Sequence, residues 1–288
     1  MRLNLCLLLF FVISLSGNSQ TPIQNNMERI YLWTNNAPEE TEAKHDAFQT
    51  EDISNNVTRL TNVTNPIMEV FTPDPDKNNG ASVIICPGGG YQILAIDLEG
   101  YEIAKWLNKL GFTVFVLQYR VPGNQLGALN DIQRAIRITR SKSKDYNFNP
   151  EKIGVLGFSA GGSLSARAST NFNKETYKKS DKIDKYSCRP NFAVLIYPAY
   201  LNKGENNKIT PELTITDQTP PMFIFATTDD AYSNKGSLVL SKALMDFKIP
   251  VELHILESGG HGYGLRKGNI AAETWPVLAE KWLKNIIK

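Results

Sequence analysis

The sequence is poor in the two residue types that most often carry reactive side chains: its 288 residues include three histidines and three cysteines. Cys6 falls inside an N-terminal apolar run, which leaves Cys86 and Cys188 for the body of the chain. One bridge at most is available, and Cys86, at the end of an apolar run, reads as a small buried residue rather than half of a disulfide. A metal site is not indicated, because His, Cys and carboxylates nowhere fall at ligand spacing. Excess charge of one sign is also missing. Thirty-one basic against 29 acidic side chains leave a net charge of +2, and without a dense basic patch a nucleic-acid partner is not expected. There is no internal repeat, and no linker divides the chain.

What is present begins at the N-terminus. Arg2 precedes an almost unbroken apolar run from Leu5 to Leu15, followed by Ser16-Gly17-Asn18-Ser19-Gln20. This is the layout of a secretory signal peptide, too short for a stable membrane span. The expectation is a signal peptide over 1–19, export to the periplasm or beyond, and one domain over 20–288.

Residues 20 to about 65 are polar and rich in Asn and Thr, with one apolar cluster, Ile30-Tyr31-Leu32-Trp33, that reads as an edge strand before a long loop. From Pro66 the rhythm changes. Short apolar runs at 67–71, 82–86, 113–117, 153–156, 192–196, 222–226 and 251–256 predict strands. Helical spacing predicts helices over 98–110, 129–146, 238–247 and 274–287. Strands that are apolar throughout and alternate with helices indicate an α/β fold of about eight mostly parallel strands, with helices on both faces. Residues 200–221 must cross between two parallel strands, yet they show little helical pattern.

The fifth strand runs into Gly157-Phe158-Ser159-Ala160-Gly161, a G-x-S-x-G turn whose flanking glycines allow a tight strand-to-helix bend and lift the serine above the sheet. A serine nucleophile needs a base, and the base needs an acid. His45 lies ahead of the sheet and His254 sits inside a strand, which leaves His261, in a glycine-rich loop just past the last strand. A ligand meets an open parallel sheet at such strand ends. The acid falls between the two in chain order, at Thr227-Thr228-Asp229-Asp230. One of the two aspartates is expected to face the histidine and the other to bind loop backbone; Asp229 is preferred as the acid, with Asp230 as its structural partner. Gly88-Gly89-Gly90, after the third strand, and Ala160, after the serine, offer backbone N–H groups for an oxyanion. A phosphate-binding loop is the rival reading of the three glycines, but no G-K-[ST] follows them.

With Cys86-Pro87-Gly88-Gly89-Gly90-Tyr91, Gln118-Tyr119-Arg120-Val121, Gly157–Gly162 and Gly259-Gly260-His261-Gly262-Tyr263-Gly264-Leu265 in this order, the chain resembles the α/β-hydrolase esterases of the hormone-sensitive-lipase-like and prolyl-oligopeptidase-like kind. It is most similar to secreted bacterial acetylxylan and feruloyl esterase-like proteins. The resemblance covers about Ile30 to the C-terminus. It implies a triad of Ser159, Asp229 and His261, an oxyanion hole of Gly89, Gly90 and Ala160, no cofactor, and an acylated carbohydrate as substrate. Pro87 stands where many lipase relatives carry histidine, and Ala231-Tyr232-Ser233-Asn234 replaces the usual continuation after the aspartates. A feruloyl esterase, a prolyl-oligopeptidase-like peptidase and a carbohydrate-binding relative with an inactive triad are the alternatives. Segments 171–189 and 200–219 are candidates for a lid or sugar-binding rim. Tyr91, Tyr232, Tyr263 and Trp275 are candidates to face a sugar, with packing as the alternative.

Overall fold

The computed structural model describes residues 27–288, so the expected signal peptide lies outside the described residues. Eight strands form the main sheet: β1 (Arg29–Tyr31), β2 (Ile67–Phe71), β3 (Ser82–Cys86), β4 (Thr113–Gln118), β5 (Ile153–Phe158), β6 (Phe192–Ile196), β7 (Met222–Thr227) and β8 (Val251–Leu256). Their spatial order is β1-β2-β4-β3-β5-β6-β7-β8. β2 runs antiparallel to both neighbours, β1 and β4, and every other pair is parallel.

Both faces of the parallel part are buried, which explains strands without polar alternation. Val83 and Ile85 of β3 face one layer, packed with α1 (Glu102–Lys109) and α5 (Ile270–Ile286). Ile84 and Cys86 face the other, packed with α2 (Gln125–Ser141), α3 (Ser159–Thr170) and α4 (Asn234–Asp246). Cys86 and Cys188 are both buried, and among the described residues neither is in a disulfide. Asparagine caps start two of the helices. Asn124 accepts from the Gly127 N–H at the head of α2, and Asn269 accepts from Ala271 and Ala272 at the head of α5.

Two departures from the sequence reading, and one feature in line with it, bear on function. The helix expected over 98–110 is split: residues Asp97–Tyr101 form a wider i→i+5 turn, and only then does α1 begin. The long loop expected after the first strand is partly ordered into a small antiparallel sheet of Phe48–Gln49, Arg59–Thr61 and Leu94–Ala95. The crossover from β6 to β7 contains a single 3-10 turn, Glu205–Asn207, and no α-helix, in line with its weak helical pattern.

Register brings the loops together. Cys86 pairs with Gly157 and Phe158 with Ile196, so the loops after β3 and β6 flank the serine turn. Thr227 pairs with Leu256, which sets the aspartates beside the histidine loop. Chain order reverses between β3 and β5, the point at which such sheets bind ligands.

Candidate active site

The serine turn is built by close approach. A Cβ on Gly157 would lie 2.1 Å from the Gly161 carbonyl oxygen, and one on Gly161 would lie 1.9 Å from the Cys86 carbonyl oxygen. Only glycine fits at either position. Ser159 is held at φ +50°, a left-handed conformation that non-glycine residues adopt at a cost and that clusters at functional sites. Its carbonyl accepts from the Ala199 N–H at 3.0 Å, and α3 starts at Ser159 itself, so the Ala160 N–H belongs to the helix's first turn, which has no intrahelical acceptor.

His261 Nε2 lies 2.8 Å from Ser159 Oγ, and His261 Nδ1 lies 2.7 Å from Asp230 Oδ2. Asp230 is 2% exposed. Burial pushes its carboxyl up, but hydrogen bonds from His261 and Ser233 outweigh that and hold it below the usual carboxylate range. An ionised carboxylate only accepts, so Nδ1 carries the proton and Nε2 is free to accept from the serine hydroxyl.

This corrects the expected acid. Asp229 points to the loop instead: its Oδ1 accepts from Thr227 Oγ1 at 2.6 Å and from Gly260 N–H at 3.0 Å, and its Oδ2 accepts from Gly259 N–H at 3.1 Å. Those bonds draw the Asp229 carboxyl below its ordinary range. The two expected roles are both filled, with the residues exchanged. The reason is the turn after β7. Asp229 sits at its exposed apex, whereas the Asp230 N–H returns to the Thr227 carbonyl and its own carbonyl accepts from the Ser233 and Asn234 amides at the head of α4, and its side chain is buried.

The glycine loop lies against the serine: a Cβ on Gly88 would come within 2.9 Å of Ser159 Cβ. Gly89 and Gly90 have φ of +131° and +64°. Their N–H groups have no hydrogen-bond partner among the described residues, and both residues line the cleft that holds Ser159 and His261. Tyr119 donates to the Pro87 carbonyl at 2.6 Å and so buttresses this loop. The neighbouring Arg120 forms a buried pair with Asp131 and also binds the Pro38 and Gly127 carbonyls. Gln118-Tyr119-Arg120-Val121 is therefore scaffolding.

The cleft measures about 390 Å³. Besides the residues above it is lined by Ile93, Ala95, Leu98 and Glu99, by Ala199, Tyr200 and Tyr232, and by Asn55, Val57 and Arg59, from the 3-10 turn that leads into the middle strand of the small sheet and from the start of that strand. Sequence reasoning missed the last three, because nothing in a polar Asn- and Thr-rich segment says that it folds back over the sheet. It also missed Glu99, buried at 3% exposure. Of the four aromatic candidates only Tyr232 lines the cleft, its ring 5.3 Å from that of His261 and 68% exposed. Tyr91, Tyr263 and Trp275 are buried core, and Trp275 donates to the Gly264 carbonyl. Segment 171–189 packs on α2 through Arg134, which pairs with Asp181 and Asp184. It supplies no cleft residue, and 200–219 supplies only Tyr200. His254 bonds Glu252 within β8, and His45 stacks on Phe48.

Among the described residues no group of three or more His, Cys, Asp or Glu could hold a metal ion, and no helix is long and apolar enough to cross a membrane.

Sheet order, serine turn, and a hydrogen-bonded Ser–His–Asp set at the strand ends define an α/β hydrolase of the serine type. Residues 68–198 match the BD-FAE family. The chain is 33% identical to the acetyl ester-xyloside bifunctional hydrolase of Caldicellulosiruptor lactoaceticus, with a TM-score of 0.72 over 90% of this chain and 96% of that one. It is 31% identical over 215 residues to the acetylxylan esterase of Xylanibacter ruminicola, covering 66% of this chain and 42% of that protein. It is 29% identical over 205 residues to the endo-1,4-beta-xylanase B of Butyrivibrio fibrisolvens, covering 62% of this chain and 32% of that protein. The chain thus spans less than half the length of these last two relatives. It belongs to the α/β-hydrolase esterases.

Proposed function

We propose that the protein is an exported serine carboxylesterase that removes acetyl groups from plant or algal polysaccharide. The observation that carries the chemistry is the Ser159–His261–Asp230 relay beside the unpartnered amides of Gly89 and Gly90. Ser159 Oγ attacks the ester carbonyl as His261 Nε2 takes its proton. Asp230, ionised and buried against Nδ1, stabilises the imidazolium that forms. The amides of Gly89, Gly90 and Ala160 meet the charge that develops on the carbonyl oxygen, each donor contributing on the order of 2.7–4 kcal/mol. His261 then gives the proton to the sugar oxygen as its bond to the acyl carbon breaks, releasing the sugar hydroxyl, and water repeats the cycle on the acyl-enzyme.

Acetylated carbohydrate as the substrate is supported by the names of the relatives, and export by the layout of residues 1–20. The test is hydrolysis of p-nitrophenyl acetate and acetylated xylan by the wild type and Ser159→Ala, beside a feruloylated oligosaccharide. Loss of both acetyl activities in the mutant is expected. An undiminished Ser159→Ala rate refutes the assignment, and preferential release of ferulate replaces the acyl group named here. N-terminal sequencing of protein recovered outside the cytoplasm tests export.

A further inference from the structure

The relay leaves one buried acid in the cleft without a task. Glu99 sits in the i→i+5 turn ahead of α1, and no lysine or arginine pairs with it among the described residues. Its Oε2 accepts from the Gly88 N–H at 2.6 Å, and its Oε1 accepts from the Tyr197 hydroxyl at 2.8 Å. The Tyr197 hydroxyl in turn accepts from the Gly264 N–H at 3.1 Å, and the Tyr197 ring lies 4.9 Å from that of His261. One carboxyl group thus joins three separate loops: the glycine loop after β3, the chain leaving β6, and the histidine loop after β8.

Two further observations give this junction weight. Tyr197 is held at φ +38°, a left-handed conformation that is costly for a bulky residue and persists only where its surroundings impose it. A Cβ on Gly88 would lie 2.6 Å from Glu99 Oε2, so the first glycine of the loop is shaped to this carboxyl as well as to the serine. Burial raises the Glu99 carboxyl above the ordinary carboxylate range, and hydrogen bonds from Tyr197 and Gly88, with the nearby His261, offset only part of that rise. An unpaired buried acid costs stability, which is reason to look for its benefit in the reaction.

We propose that Glu99 is a positioning residue for ester cleavage: its carboxyl group clamps the glycine loop to Tyr197, and through Tyr197 to the histidine loop, so that the Gly89 and Gly90 amides stand ready for the oxyanion. This rests on the esterase function proposed above. Gly88, pinned by its N–H, precedes two residues of left-handed φ whose own amides are unpartnered, so a loosened clamp lets both drift. The oxyanion exists only after attack, so the loss falls on kcat and leaves KM alone.

The experiment compares Glu99→Gln, Tyr197→Phe and the double variant with wild type on p-nitrophenyl acetate, with Ser159→Ala as the blank and Tm recorded for each. Glutamine offers one acceptor where the carboxyl offers two, and phenylalanine keeps the ring without the bridge. Glu99→Gln is expected to lose about 10- to 100-fold in kcat, less than deletion of an oxyanion donor outright (~10²–10³). KM should stay within about twofold, and the double variant should lose much less than the product of the singles. A folded Glu99→Gln with wild-type kcat overturns the proposal, as does a loss confined to KM, which would make Glu99 a substrate contact. Should Glu99→Gln fail to fold, Tyr197→Phe decides by the same criteria. A wild type no faster than Ser159→Ala would instead sink the esterase function itself.

Discussion

Replacing each of the adjacent aspartates by asparagine separates catalysis from loop support. Asp230→Asn removes the negative charge from His261 Nδ1 at a site where the carboxylate is almost fully buried. With the charge centres roughly 4 Å apart and an effective dielectric constant of about 20, the attraction lost to the imidazolium is about 4 kcal/mol. The accepting hydrogen bond that selects the reactive tautomer adds about 1 kcal/mol. At about 1.4 kcal/mol per decade, the sum corresponds to a fall of between about 10³ and 10⁴ in kcat. KM should be unchanged, because the residue lies behind the histidine. Asp229→Asn keeps one carbonyl oxygen, enough for one of the Gly259 and Gly260 amides that now sit on separate carboxylate oxygens, and it leaves the relay intact, so its kcat should stay within about tenfold of wild type. Steady-state hydrolysis of p-nitrophenyl acetate measures both, with circular dichroism to show that each variant is folded. A loss above about 10³ in Asp229→Asn, with Asp230→Asn near wild type, would refute the assignment of the acid.

Other perturbations probe the scaffold. Gly161→Ala drives a methyl group into the Cys86 carbonyl and should destabilise the protein by about 3 kcal/mol or more, read as a lowered urea midpoint with parallel loss of activity. Arg120→Met strands the buried Asp131 and should cost about 3–5 kcal/mol, whereas Arg120→Met with Asp131→Leu should recover most of it in the same titration. Burial alone would raise the Asp184 carboxyl, but hydrogen bonds from Ser180, Tyr177 and Arg134 bring it down to about 2. A carboxyl lowered on folding contributes stability that is complete above its unfolded value, near 3.9, and is lost as pH falls through the folded value. The Tm gap between wild type and Asp184→Asn should therefore be widest above about pH 4 and close towards pH 2; a gap independent of pH would contradict this.

Much of the sheet and half of the site were legible in the chain itself. Strands such as Ser82–Cys86 and Met222–Thr227 are apolar on both faces because helices cover both, and no other common element produces such short runs between helices. Ser159 was visible because its turn admits only glycine at 157 and 161. His261 was visible because the other two histidines had nowhere useful to be.

What only the tertiary structure decided depends on direction and on distant partners. Asp229 and Asp230 are chemically identical neighbours, and the turn after β7 alone determines which one points inward. Glu99 reads as one acid in a helical stretch until the wide turn at Asp97–Tyr101 delivers it to Gly88, eleven residues earlier, and to Tyr197, 98 residues later. Tyr91, Tyr263 and Trp275 are as aromatic as Tyr232, but packing from both layers buries the first three and leaves the last at the cleft. Local spacing determined which residues carry the chemistry, since backbone sterics act over a few neighbours. Which side chains meet was decided by register and crossover, which join segments that the sequence holds far apart.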